Sequence, residues 1–299
     1  MSVHAILLIL LGLFAIVYIA VWGVEMKRRG FALPKPLEIG IGFVTNFFDT
    51  LGIGSFAPTT TMFKFWKLSP DERIPGTLNV GHTLPTITEA LIFIAIVSVA
   101  PLTLILLIVA SIVGAWLGAG VVAKWPRRYV QIGMGLALIA AGILFIMKNL
   151  NILQGGGNAL SLSGTLLWVG VAGNFILGAL MTIGIGLYAP AMIMVALLGM
   201  SPIAAFPIMM GSCAFLMPIA SWRFIKFDAY TLKAALGLTI GGVPGVLAAA
   251  YIVKSLNVTA LRWLVAAVVI YTAIMMLRSA MVERTQQEPV PMGTGTATP

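Results

Sequence analysis

Asp49-Thr50-Leu51-Gly52-Ile53-Gly54-Ser55-Phe56-Ala57-Pro58 interrupts an apolar stretch, residues 37–66, that would otherwise form a single helix. A second stretch, residues 164–199, is interrupted the same way by Thr182-Ile183-Gly184-Ile185-Gly186-Leu187-Tyr188-Ala189-Pro190. Glycine and proline dictate backbone shape, glycine by permitting left-handed conformations and proline by fixing φ and lacking an amide hydrogen. Each stretch therefore reads as two short helices joined by an elbow of glycine-rich backbone. A helix of 13–15 residues is only about 20 Å long, too short to span a bilayer comfortably.

Composition places these elbows in a membrane. Of 299 residues, 60% are hydrophobic and 9% are charged, whereas soluble domains carry roughly 25% charged residues. A disulfide scaffold is excluded by the single Cys213. The net charge of +9 does not point to nucleic acid, because the basic residues are scattered through the loops between apolar runs, in groups of three at most. Residues 5–24 form an apolar run with its positive charges after it, Lys27-Arg28-Arg29, the reverse of a signal peptide, and are expected to be a retained spanning helix. Further runs of about 20 residues lie near 74–98, 101–123, 128–147, 202–222, 231–253 and 259–277, each long enough to cross a ~30 Å hydrocarbon core.

Charge fixes the orientation. With the N-terminus outside and each elbow in a re-entrant hairpin, the cytoplasmic segments hold 15 Lys and Arg and the outer segments only Lys148, Lys254 and Arg262. The expectation is an all-α polytopic protein of the bacterial inner membrane, seven spans plus two hairpins, with the C-terminus cytoplasmic.

At an offset of 132 residues the two halves align without gaps: Gly52-Ile53-Gly54 on Gly184-Ile185-Gly186, Ala57-Pro58 on Ala189-Pro190, Met62 on Met194, Ser69-Pro70 on Ser201-Pro202, and Pro75 on Pro207. Each copy is a broken-helix hairpin plus three spans, and an odd number of crossings inserts the second copy upside down. The expected organisation is an N-terminal helix and basic loop (1–36), repeat 1 (37–148), an external linker (149–163), an inverted repeat 2 (164–280) and a disordered cytoplasmic tail (281–299). Inverted repeats with broken helices meeting near the midplane characterise secondary transporters.

The Gly-Ile-Gly-x-x-Ala-Pro element in each half resembles the sulfite exporter TauE/SafE family, also called the toluene sulfonate uptake permease family. The likeness covers about residues 37–280; Ser55-Phe56 and Leu187-Tyr188 stand where many members have further glycine. It implies a duplicated carrier for small sulfur-containing anions such as sulfite, sulfonates or sulfoacetate, coupled to protons. The rivals are an anion channel on the same scaffold, a membrane assembly protein without flux, and a carrier for a cation or neutral solute.

Broken helices leave backbone N–H groups unpartnered, and a half-helix N-terminus suits an anion. The candidate substrate-binding residues at the elbows are Thr50, Gly52, Gly54, Ser55, Thr59, Gly184, Gly186 and Tyr188, with Asn46 and Asn174 in the first arms. Tight packing of small residues is the alternative reading of the glycines. In the most polar span, Asn79, His82, Thr83, Thr86 and Glu89 recur at helical spacing and fall on one face; Ser212 and Cys213 lie in its counterpart. Asn79, His82, Thr83, Ser212 and Cys213 join the substrate-binding set. Asp49, His82 and Glu89 are the candidates for proton coupling, although Asp49 equally suits a helix cap, His82 a bonded core histidine and Glu89 an interfacial pair. Trp22, Trp66, Trp125, Trp222 and Trp263 read as interfacial anchors. No Walker loop, metal-ligand spacing or hydrolase motif is present, so neither an enzyme nor a cofactor is expected; the expected partners are a small anion and membrane lipid.

Overall fold

The computed structural model describes residues 3–30, 33–122, 127–150, 157–181, 186–255 and 258–287. Its helices are α1 (Val3–Arg29), α2 (Pro36–Thr50), α3 (Phe56–Trp66), α4 (Ile74–Ile96), α5 (Pro101–Val122), α6 (Arg127–Asn149), α7 (Gly164–Met181), α8 (Tyr188–Leu197), α9 (Ala205–Lys226), α10 (Leu232–Ser255) and α11 (Val258–Gln287). One isolated β-bridge joins Ala159 to Met200. Among the described residues five helical segments are long and apolar enough to cross a membrane: Val3–Arg29, Ile74–Ile96, Gly164–Met181, Pro202–Lys226 and Leu232–Ile252. Shorter apolar segments, Pro101–Leu117 and Ala266–Val282, lie in α5 and α11. The protein is a multi-pass membrane protein.

The elements recur at the spacing seen in the sequence. Moving α2, α3, α4, α5 and α6 forward by 132 residues lands them on α7, α8, α9, α10 and α11, with ends agreeing to within about six residues. Their packing is exchanged in the same way. The extensive pairings are α2 with α10 and α7 with α5, together with α4 with α9 and α6 with α11. Glycine makes the first two possible. A Cβ on Gly42 of α2 would lie 2.6 Å from the Leu238 carbonyl oxygen of α10. Close backbone approach of this kind is how helices associate where lipid removes the hydrophobic drive.

Loops gather into two groups at opposite helix ends. At one, Arg29 bonds Asp228 and the Ile225 carbonyl, its guanidinium lies 5.1 Å over the Tyr230 ring, and Ser69 Oγ is 2.7 Å from Thr231 Oγ1. At the other, Ala100 N–H donates to the Leu160 carbonyl and Ser201 N–H to that of Ala159 (both 2.8 Å). Helix α4 starts in the first group and α9 ends there. Phe93 and Phe206 stack at 5.1 Å near the other end, so α4 and α9 run antiparallel.

Pro85 lies inside α4 and cannot donate to the carbonyl of Gly81. Thr239 of α10 supplies the missing hydrogen at 2.7 Å. Three expectations are corrected. Trp22 is no interfacial anchor: it is 2% exposed and its indole N–H donates to the Tyr230 hydroxyl at 3.2 Å, because α1 packs against α4 and α9. Trp66, Trp222 and Trp263 are exposed, and Trp125 lies outside the described residues. The first arm of the second hairpin, α7, has 18 residues, longer than the short half-helix expected. Helix α11 continues to Gln287, so the tail begins as helix; residues 288–299 lie outside the described set.

Candidate functional site

The first elbow is built by its glycines. Helix α2 ends at Thr50, and Gly52 and Gly54 adopt φ of +97° and +92° before α3 starts at Phe56. These values lie where a side chain would be strained. Gly52 also meets the other hairpin: a Cβ there would sit 2.5 Å from Met192 Cε of α8. The second elbow is flanked by the end of α7 at Met181 and the start of α8 at Tyr188. Gly184 and its neighbours Thr182, Ile183 and Ile185 lie outside the described residues, and Gly186 is exposed.

Glu89 is the point where the two hairpins meet. It is fully buried on α4, where the sequence had suggested a place nearer the outer surface. The Thr50 hydroxyl, at the last residue of α2, donates to its Oε1 at 2.8 Å. The Tyr188 hydroxyl, at the first residue of α8, donates to its Oε2 at 2.7 Å. One carboxyl group thus joins the end of one elbow to the end of the other. Asp49, 3% exposed, faces the hydroxyl and the backbone N–H of Ser55, the residue that precedes α3, and lies within electrostatic reach of Glu89. Among the described residues neither carboxyl has a Lys or Arg partner. A buried carboxyl with no cationic partner is costly to keep charged.

Beside this pair lies a chain of neutral polar groups. Asn46 Nδ2 donates to the Gly42 carbonyl at 2.7 Å, and Asn46 Oδ1 lies 3.0 Å from His82 Nδ1. His82 Nε2 lies 3.1 Å from Thr59 Oγ1, which in turn donates to the Ser55 carbonyl at 2.7 Å. The Phe56 ring covers the imidazole with 5.9 Å between centroids. Asn46, Thr59 and His82 are all fully buried.

The second half contributes a different cluster. Asn174 Nδ2 donates to the Leu107 carbonyl (2.6 Å) and to Ser212 Oγ (3.0 Å), while Asn174 Oδ1 is buried without a hydrogen-bond partner. The Cys213 thiol is 3.5 Å from Met181 Sδ. The two remaining candidates of α4 stand apart. Thr83 pairs with Ser221 of α9 at 2.9 Å, and Asn79 is half-buried and folds back onto the Pro75 carbonyl at 2.9 Å. The polar residues of α4 therefore serve different neighbours. Among the described residues no three His, Cys, Asp or Glu side chains form a group able to hold a metal ion. Sequence reasoning missed Tyr18, whose hydroxyl donates to the Val80 carbonyl at 2.8 Å. A tyrosine in an apolar first helix carried no signal of its partner.

Comparison with known proteins adds one finding. Residues 166–298, from early in α7 to near the C-terminus, match the family model "Sulfite exporter TauE/SafE". That family is one of membrane transporters, and the match covers the second elbow and the helices that follow it. No curated protein and no solved structure matches the chain.

Proposed function

We propose that the protein is a secondary carrier of the inner membrane for small sulfur-containing anions of the sulfite, sulfonate and sulfoacetate class, moved by alternating access and coupled to protons. The observation that carries this reading is the pair of hydrogen bonds that Glu89 accepts from Thr50 and Tyr188. A protonatable group that clasps both elbows can link their relative position to proton occupancy. The anion is read as sitting between the elbows, held by N–H groups at the starts of α3 and α8 and by hydroxyls such as Ser55, with no buried Arg required. Candidate residues for it are those at the elbows and in the Asn174–Ser212–Cys213 cluster.

The two loop groups support opposite insertion of the repeats. Ser69, before α4, belongs to the end that holds Arg29 and Asp228. Its counterpart Ser201, before α9, belongs to the end that holds Ala100 and Ala159. Equivalent loops at opposite ends are what an inverted repeat produces. Charge then assigns the Arg29 end to the cytoplasm, with the N-terminus outside and the C-terminus inside.

The test is flux in proteoliposomes with sulfite, a sulfonate and acetate on offer. The expected result is uptake of the sulfur anions driven by an imposed pH gradient. In Glu89→Gln, gradient-driven uptake falls at least tenfold while exchange of labelled for unlabelled anion persists. Flux that follows only the anion's own electrochemical gradient would replace the carrier with a channel, and no flux of any anion would remove both.

A further inference from the structure

We infer that Asn46 is a positioning residue that holds the His82 ring with its neutral-state proton on Nδ1, leaving Nε2 as the atom that accepts and releases a proton, with the Thr59 hydroxyl turning in response.

The inference is a count of hydrogens. The Asn46 amide cannot flip, because its Nδ2 donates to the Gly42 carbonyl at 2.7 Å and an oxygen placed there would face another oxygen. Oδ1 therefore faces His82 Nδ1 at 3.0 Å. A carbonyl oxygen only accepts, so Nδ1 must carry hydrogen. Which ring nitrogen is protonated is set by the bond the other makes. An isolated histidine in water favours Nε2–H, so this site reverses the ordinary preference.

Thr59 completes the count. Its hydroxyl has one hydrogen and two neighbours in reach, His82 Nε2 at 3.1 Å and the Ser55 carbonyl at 2.7 Å. When the ring is neutral, that hydrogen is shared between the Ser55 carbonyl and the Nε2 lone pair. When a proton adds to Nε2, the new N–H donates to Thr59 Oγ1, and the Thr59 hydrogen turns to the Ser55 carbonyl. Ser55 is the residue before α3 at the first elbow, and its hydroxyl and N–H face Asp49. Proton occupancy at His82 is thereby passed to the elbow by one hydroxyl rotation. The other buried carboxyl of these elements is Glu89 on α4; among the described residues neither Asp49 nor Glu89 bonds to the ring.

A second, independent observation comes from the repeat. At an offset of 132 the counterparts of Asn46, His82 and Thr59 are Gly178, Ala214 and Ala191. All three polar groups are absent together from a copy that builds the same helices. The helices of a repeat can thus form without these three groups, and their joint absence is what is expected if they act as one device. Asn46 has both ends of its amide committed, so its role is to hold His82 and not to touch the anion. The consequence for coupling rests on the carrier reading; the position of the proton does not.

The test uses the chain's having two histidines. A His4→Gln variant, 15N-labelled at histidine and placed in lipid bilayers, reports on His82 alone by nuclear magnetic resonance. The neutral ring is expected to show the proton on Nδ1. Asn46→Leu is expected to weaken that preference by about tenfold, the worth of one buried hydrogen bond, or to reverse it. Asn46→Asp, which keeps an acceptor, and Thr59→Val, which removes the neighbour of Nε2 and leaves the Nδ1 side untouched, are expected to retain Nδ1–H. A neutral ring with its proton on Nε2, a ring doubly protonated at every pH, or an unchanged tautomer in Asn46→Leu would each overturn the inference. Should Asn46→Leu fail to fold, the labelled His4→Gln protein with the native Asn46 decides alone. Sulfite flux on the same samples separates the two ideas: Nδ1–H without flux sinks only the carrier, and flux with Nε2–H sinks only the inference.

Discussion

Tyr188→Phe removes one oxygen and keeps the ring. That oxygen donates at 2.7 Å to Oε2 of Glu89, and the two residues are 5% and 0% exposed. A hydrogen bond between neutral groups contributes about 0.5–1.5 kcal/mol net, but a buried acceptor stripped of its donor bears a desolvation cost of about 1–3 kcal/mol. The apolar packing of the ring is unaltered, so this bond is the whole of the change. The link between the hairpins should weaken by on the order of 5–150-fold, at roughly 1.4 kcal/mol per factor of ten. Thr50→Val is the matched comparison on Oε1. Its hydroxyl hydrogen is shared between Glu89 and the Asn46 carbonyl, each at 2.8 Å, so its removal should cost less, about 0.5–1.5 kcal/mol. Equilibrium unfolding of the purified protein in detergent measures both. Should Tyr188→Phe cost under about 0.5 kcal/mol, or less than Thr50→Val, Glu89 would not be what clasps the two elbows.

The first elbow offers a second measurement. Gly54→Ala should cost about 1–2 kcal/mol, since φ is +92° and no atom lies within 4 Å of the added carbon. Gly52→Ala should cost more at a similar φ because Met192 Cε must move, and adding Met192→Ala should return the excess. At the other side of the bundle, Arg29→Ala should loosen the α1 terminus from Asp228 and Tyr230 by roughly 1 kcal/mol, an effect that fades in high salt. Protease accessibility of residues 25–35 would report it; digestion equal to the wild type at low salt would count against the contact. Glu89→Gln should separate gradient-driven uptake from anion exchange, as stated for the flux assay.

Much of this arrangement was legible in the sequence because glycine, proline and apolar length act locally. Helix limits at Ile74, Pro101 and Thr50 fall where proline or glycine forces them, and the offset of 132 recurs in the helix ends. Pairings across the bundle were another matter. Spacing on α4 put His82, Thr83 and Glu89 on one face, but it could not say that His82 meets α2 and α3, Thr83 meets α9, and Glu89 meets both hairpins. Nor could Trp22 be distinguished from the tryptophans that do stay exposed. A tryptophan near a span end looks alike whether it faces lipid or a Tyr230 that is 208 residues away. Side chains that act across long separations leave no periodic trace.

Pro85 stands between His82 and Glu89 on α4, three residues after one and four before the other. The rung from Pro85 to Gly81 is missing and is replaced by a hydroxyl from α10, so at this point α4 leans on its neighbour instead of on itself. His82 and Glu89 lie on opposite sides of that junction. In the proton-coupled carrier proposed above, a shift on one side of that junction would swivel one residue while its fellow stays seated, so protons would be handed on in sequence instead of being bound and released as a pair.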